Sequence, residues 1–241
     1  MHASLPTTTA LILAGGKGTR IRAVHPDLPK PLIPIAGKPF LAWQIDYLHS
    51  QGIRHVILAT GYMADKIEEH FAHEPARDVT LSFVRERAAL GTGGAVRFAS
   101  QGIDAGWLLV CNGDSLCPAD LACMTAACAD TDCAAVVLCT EMDDVGDCGT
   151  VEVGADGCIT GFLEKGVSHG AGLVNAGVYL MQTAWAQSLS ASVPLSLEHD
   201  VFPKMAHGAL RAAITATQFL DIGVPERLEK ADEFMRGFTE R

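Results

Sequence analysis

The chain has 241 residues, 49% of them hydrophobic, and sets 18 basic against 28 acidic side chains for a formal net charge of −10. That length fills one large domain with a full core, and the acidic balance argues against a nucleic-acid binder, which needs a basic surplus. No apolar run approaches the ~20 residues that span a bilayer, and the opening "MHASLPTTTALILAGG" lacks a basic n-region, so the chain reads as soluble, without a signal peptide or membrane partner.

In chain order, short apolar and β-branched runs fall at 9–15, 55–60, 80–84, 107–114, 134–139, 149–153, 177–181 and 212–215. Their continuous apolarity predicts strands covered on both faces. Helical patterns lie between the early ones. Residues 38–51 set Leu41, Ile45 and Leu48 on one face and stop at Gly52. Further helices are predicted over 64–72, 92–101 and 118–129, and a last one from Pro225 to Arg236. Strands alternating with helices predict an α/β fold with a largely parallel sheet. After about residue 139 the pattern changes, and "GTVEVGADGCITGFLEKG" reads as strand, Asp-Gly turn, strand. A single domain is expected, with halves of about 1–139 and 140–241, the second smaller and β-rich.

Eight cysteines stand at 111, 117, 123, 128, 133, 139, 148 and 158, none paired as CxxC and most inside apolar runs. Thiols in a reducing cytoplasm are expected, not a disulfide framework or a zinc site. His70 and His73 read as a solvated helix end. The acids of "TEMDDVGD" (140–147) lack the spacing of a calcium loop and read as an acidic surface loop.

The densest chemistry is "AGGKGTR" directly after the first predicted strand. In an α/β sheet, ligands bind beyond the carboxyl ends of strands, and glycines let backbone N–H groups face an anion. Lys17, Arg20, Arg22 and Lys30 add positive charge suited to phosphate. Two familiar phosphate loops fail here. GxGxxG would need a third glycine at Ile21, and GxxxxGK[ST] finds no match. Pro26, Pro29, Pro31 and Pro34 also forbid a long helix straight after the loop.

Gly15-Gly16-Lys17-Gly18-Thr19-Arg20, followed by Pro29-Lys30-Pro31, resembles the opening of the sugar-nucleotide pyrophosphorylases, a nucleotidyltransferase family. The likeness runs along essentially the whole chain, through "LGTGGAV" (90–96), "NGDS" (112–115), "EKG" (164–166), "NAGVY" (175–179) and "FLDIGVPE" (219–226). It implies a Rossmann-like three-layer fold with a mostly parallel mixed central sheet and a small β-rich sugar-binding part. It implies a reaction as well, in which a sugar-1-phosphate oxygen attacks the α-phosphorus of a nucleoside triphosphate and pyrophosphate leaves. The substrate brings its own nucleophile, so the protein positions two polyanions and neutralises their charge.

By the same resemblance, Arg20, Lys30, Asp114 and Lys165 are the catalytic set, and Asp114 and Asp221 share a Mg²⁺ ion. Leu13, Ala14, Gly15, Gly16, Gly18, Thr19, Asn112 and Gly113 would line the nucleotide site. Gly91, Thr92, Gly93 and Gly94 would let the base lie against backbone. Gly149, Glu164, Lys165, Asn175 and Asp221 would hold the sugar phosphate. "VHPDLPKPLIPIAGKPFLAWQIDYL", "GTVEV" and "SLEHDVFP" are most similar to the D-glycero-α-D-manno-heptose 1-phosphate guanylyltransferases, which implies GTP as donor, GDP-heptose as product, and lipopolysaccharide or capsule as destination. A uridylyltransferase for N-acetylmuramic acid 1-phosphate, a mannose- or glucose-1-phosphate enzyme and a non-catalytic nucleotide-sugar sensor stay open, because residues 90–95 do not separate guanine from uracil. A homodimer is compatible with the family. One departure bears on the sugar: the residue before Gly149 is usually tyrosine in this group and here is Cys148.

Overall fold

The period-two pattern of the buried strands builds the molecule. In β1 (Thr9–Ala14), Ala10, Ile12 and Ala14 face one apolar cluster while Leu11 faces another. β6 (Trp107–Asn112) repeats this, with Leu109 and Cys111 on the first side and Leu108 and Val110 on the second. A strand apolar on both faces needs a cover on both, so the sheet becomes the middle of three layers. The computed structural model describes residues 5–73, 78–129, 132–146, 148–163, 169–205, 208–223 and 225–239.

The other strands are β2 (Pro34–Ile35), β3 (Lys38–Pro39), β4 (His55–Thr60), β5 (Thr80–Arg85), β7 (Ser115–Leu116), β8 (Ala135–Met142), β9 (Thr150–Val153), β10 (Ile159–Leu163), β11 (Gly172–Gln182), β12 (Leu210–Thr215) and β13 (Leu220–Asp221). The helices are α1 (Phe40–Ser50), α2 (Ala64–His73), α3 (Gly91–Ser100), α4 (Ala122–Cys128), α5 (Thr183–Ser188), α6 (Phe202–Met205), α7 (Pro225–Leu228) and α8 (Ala231–Thr239). Among the described residues nine strands form one mixed sheet. β5, β4, β1 and β6 run parallel, and β11 pairs antiparallel with β6. β11 then carries β8, with β12 parallel beyond it, and also the β9–β10 hairpin. The β-rich second half therefore extends the same sheet. Helices α1, α2, α4 and α8 bury residues against the first cluster, α3, α5 and α6 against the second.

Local signals explain most boundaries. The predicted face of α1 is buried, with Leu41, Ile45 and Leu48 at most 1% exposed. The helix ends in a paired cap: Gly52 N–H bonds to His49 O at 3.0 Å and Ile53 N–H to Leu48 O at 3.0 Å. The expected helix over 118–129 starts only at Ala122, since the Asp120 carboxylate accepts the Ala122 N–H at 2.9 Å and Leu121 N–H bonds to Gln51 Oε1 at 3.0 Å. The single helix expected from Pro225 to Arg236 is two. Lys230 N–H bonds back to Arg227 O at 3.2 Å, a tightened turn that leaves Arg227 on a cavity wall and sends Met235 into the core. Among the described residues no helix is long and apolar enough to cross a membrane.

Candidate active site

Two cavities meet where β1 and β6 end. The larger, of about 760 Å³, is lined by residues 13–20, by Lys30, by 91–92 and by 112–114. The smaller, of about 230 Å³, is walled by Cys148, Gly149, Asn175, Gly177, Asp221 and Arg227. Arg20, Asn112, Asp114 and Gly223 line both. Among the described residues these are the only ones the two cavities have in common, so a group reaching from one to the other passes Arg20 and Asp114.

The prolines of the opening segment give Lys30 its place. Pro29 is extended, Pro31 opens a one-turn 3₁₀ helix over Lys30–Leu32, and Leu32 N–H closes it on Pro29 O at 2.9 Å. The Lys30 stem lies over Gly18, where an added Cβ would sit 3.2 Å from Lys30 Cβ. Its ammonium donates to Asp114 Oδ2 at 2.7 Å, with side-chain exposures of 10% and 45%. The lysine is largely buried while the carboxylate stands open to the cavity. Such a contact positions charge and can be exchanged for a phosphate or a metal ion.

Asp114 is set by backbone. Gly113 N–H bonds to Leu13 O at 3.0 Å, and a Cβ on Gly113 would stand 2.6 Å from that oxygen, so no larger residue lets the strands approach this closely. β7 and β13 then pair antiparallel, Asp221 opposite Ser115, with Ile222 N–H donating to Asp114 O at 2.9 Å. Two acids 107 positions apart reach one cavity through this short ladder. Asp221 accepts from Gly223 N–H at 2.6 Å and from Arg227 Nη1 at 2.7 Å. Each carboxylate thus already carries a cation. Among the described residues no cluster of three or more His, Cys, Asp or Glu could hold a metal. Two carboxylates facing a phosphate-sized space nevertheless suit Mg²⁺, which takes one or two carboxylates and completes its shell with substrate oxygens and water.

Two side chains, Arg227 and Glu86, stand here without any signal in the sequence. Arg227 bridges Asp221 and Cys148, its Nη2 lying 3.4 Å from the sulfur. Cys148 itself is buried beside Val145 and Val174. Glu86 lines the larger cavity, accepts the Leu90 N–H at 3.3 Å, and touches Gly15, where an added Cβ would meet its Oε1 at 2.8 Å. Burial raises its carboxyl above the usual range, and the Leu90 N–H pulls partly against that. No motif marks either residue; only the fold brings them in.

The predicted positions fare unequally. Gly91 and Thr92 line the larger cavity, but Gly93 and Gly94 do not. Their N–H groups go to Leu195 O at 2.8 and 3.2 Å, and added Cβ atoms would strike Leu195 and Val193. These two glycines pack α3 against 193–195, so their N–H groups are already engaged within the protein. Asn175 lines the smaller cavity from a bulge in β11, which inserts two residues between the pairs Asn175–Cys139 and Tyr179–Val137. Gly177 in that bulge has φ +73°, and a Cβ there would lie 2.6 Å from Ser115 Oγ. Glu164 and Lys165 lie outside the described residues. The eight cysteines are free thiols, and burial pushes Cys111, Cys117 and Cys139 up to about 12, far from reactivity.

A family model described as nucleotidyl transferase matches residues 9–237 of this architecture. The chain belongs to that family. It is 34% identical over 230 residues to a D-glycero-alpha-D-manno-heptose 1-phosphate guanylyltransferase of Aneurinibacillus thermoaerophilus, covering 95% of this chain and 99% of that protein. A protein of the same name from Campylobacter jejuni is 34% identical over 217 residues, covering 90% and 95%. The crystal structure of HddC from Yersinia pseudotuberculosis superposes with a TM-score of 0.86 at 34% identity over 95% of this chain and 100% of that one. A structure of HddC complexed with GMP-PN gives 0.85. The protein is therefore a nucleotidyltransferase with a mixed α/β fold.

Proposed function

We propose that this protein transfers GMP from GTP to D-glycero-α-D-manno-heptose 1-phosphate, forming GDP-heptose and releasing pyrophosphate. The observation that carries the reading is the pair of unequal cavities meeting at Arg20 and Asp114. One is large and lined with backbone glycines, the other small and walled by side chains. About 1–139 supplies most of the nucleotide side and about 140–241 most of the sugar side.

A phosphate oxygen of the sugar 1-phosphate forms the new bond to the α-phosphorus as the bond to the β-phosphate oxygen breaks, and pyrophosphate carries off the electron pair. The attacking oxygen is already ionised near neutrality, so no protein base is required. Arg20 and Lys30 bind the triphosphate and balance charge on the departing pyrophosphate. Asp114 and Asp221 would hold Mg²⁺, which supplies charge neutralisation and orientation of phosphate oxygens when bound. Lys165 and Glu164 belong to the sugar side in this reading, with Gly149 and Asn175.

Glu86 favours guanine. The N1–H and exocyclic N2–H₂ of guanine are adjacent donors that one ionised carboxylate accepts together, whereas uracil offers a single N3–H between two carbonyls. A heptose acceptor is supported by the names and near-complete coverage of the relatives. The enzyme would act in the cytoplasm, where GTP is supplied, and feed surface glycan synthesis.

The test is a matrix of GTP, UTP, CTP, ATP and dTTP against heptose-, mannose-, glucose- and N-acetylmuramic acid 1-phosphates with Mg²⁺, read as pyrophosphate release. A peak at GTP with the manno-heptose phosphate is expected. A peak elsewhere overturns the substrates, and silence from folded protein overturns catalysis.

A further inference from the structure

Behind the walls of the two cavities, one carboxylate ties them together. Glu198 stands in a single π-helical turn, Leu197–Val201, packed between α3 and β11. Its Oε2 accepts from Thr92 Oγ1 at 2.7 Å and from Ser196 Oγ at 3.0 Å. Its Oε1 accepts from the Tyr179 hydroxyl at 2.9 Å, and that hydroxyl accepts from Asn175 Nδ2 at 3.0 Å. Thr92 lines the larger cavity and Asn175 the smaller. An unbroken line of hydrogen bonds therefore runs from one wall to the other.

The line has little slack. Tyr179 is fully buried, its ring 5.2 Å from that of Phe202, and burial together with the charge of Glu198 keeps its phenol protonated. A phenol has one proton, given to Glu198, so its lone pairs face Asn175. The Asn175 carbonyl oxygen takes the Gly177 N–H at 2.9 Å, which fixes the amide orientation within the bulge. Thr92 likewise gives its one proton to Glu198 and accepts the Leu197 N–H at 2.8 Å. Donors from both sides converge on this one carboxylate. Turning any member breaks a bond at its neighbour, and a buried unpaired polar group is costly.

We propose that Glu198 is a positioning residue, acting with Tyr179, that couples nucleotide binding to sugar-phosphate binding. A nucleotide settling against Gly91 and Thr92 stiffens the Thr92 end of the line, and through Glu198 and Tyr179 it reduces the freedom left to the Asn175 amide at the sugar side. By linkage the effect is reciprocal: each ligand raises the affinity of the other by the same factor. The proposal rests on the two-cavity reading of function given above.

The experiment is calorimetric titration with a non-hydrolysable GTP analogue and with the manno-heptose 1-phosphate, each alone and each with the other saturating, in Mg²⁺. Wild type is expected to show mutual tightening of about 10-fold, within the usual range of coupling between sites. Tyr179→Phe keeps the ring and removes the link. Each ligand alone should then bind within about 3-fold of wild type, while the mutual tightening falls to near unity. Glu198→Gln, isosteric but no longer a pure acceptor, should lose most of the tightening as well, and it serves if the phenylalanine variant does not fold. Undiminished tightening in either folded variant overturns the proposal, as does its absence in wild type. A purely structural role would lower the melting temperature and both affinities while leaving the tightening factor intact. If the sugar phosphate fails to bind wild type at all, the substrate assignment has failed instead.

Discussion

The two cavities are built from different material. The larger cavity is built on main-chain turns, the glycine-rich turn after β1, the 112–114 corner after β6 and the first residues of α3, with side chains such as Lys30, Tyr62 and Glu86 set around them. The sugar side is mostly side chains already bonded to one another, Arg227 to Asp221 and Cys148, Asn175 to Tyr179. A wall of backbone is insensitive to side-chain identity as long as the backbone can adopt its path. A wall of side chains changes with every substitution. Changes to the turns themselves should therefore abolish the reaction or the fold, whereas changes to the side chains of either wall should retune what is bound.

The largest effect is expected where the cavities touch. Asp114→Asn should lower Mg²⁺-dependent turnover by about 10³-fold, since it removes charge from the one place both substrates reach. The melting temperature should fall by no more than several degrees, because Asp114 itself stands open to the cavity, although the largely buried Lys30 loses its charged partner. Retained turnover in this variant would remove Asp114 from the metal assignment. A large drop in stability would mean that the pair has a structural role.

Backbone dependence is tested by Gly113→Ala. Its Cβ would lie 2.6 Å from the Leu13 carbonyl oxygen, so β1 and the 112–114 corner must separate. A loss of about 2–4 kcal/mol is expected in chemical denaturation, with nucleotide binding falling alongside it. On the sugar side the comparison predicts the opposite pattern. Arg227→Met should leave the melting temperature within a few degrees and the GTP KM within about 2-fold. The sugar-phosphate KM should rise about 10-fold, as expected for loss of one charged hydrogen-bonding partner. Equal effects on both KM values would dissolve the distinction between the two walls.

The same difference decided what could be read from the sequence. Strand β1 and its turn are local: an apolar run, glycines and prolines within about thirty positions announce a strand, a phosphate-facing loop and a rigid lysine. The Leu41, Ile45, Leu48 face of α1 was equally plain, because periodicity is a near-neighbour property. Glu86, Arg227 and Glu198 were silent. Each sits where a pairing distant in sequence puts its segment: Thr60 against Glu86, Ser115 against the Asp221 that holds Arg227, Thr92 against Glu198. Gly93 and Gly94 are ambiguous for the same reason. A glycine pair at a loop-to-helix junction reads identically whether it faces a base or, as here, the carbonyl of Leu195.

Glu86 gives the smallest and most diagnostic effect, because its charge has opposite consequences for the empty and the filled enzyme. Burial raises its pKa in the folded protein above the unfolded value. The folded state therefore binds the proton more tightly, and the contribution of Glu86 to stability is fully present below the unfolded pKa and lost as pH rises through the folded one. The melting temperature of wild type relative to Glu86→Gln should thus improve as pH falls. GTP affinity should move the other way. Accepting two guanine N–H groups requires the carboxylate, so the GTP KM should rise by about 10-fold as pH falls below the raised pKa and level off above it. The UTP KM should stay nearly flat, since a protonated carboxyl can give its proton to a uracil carbonyl. In Glu86→Gln the pH dependence should vanish and the preference for GTP over UTP should shrink. Parallel pH profiles for GTP and UTP in wild type would take base recognition away from Glu86 and return the larger cavity to a site that reads only phosphates.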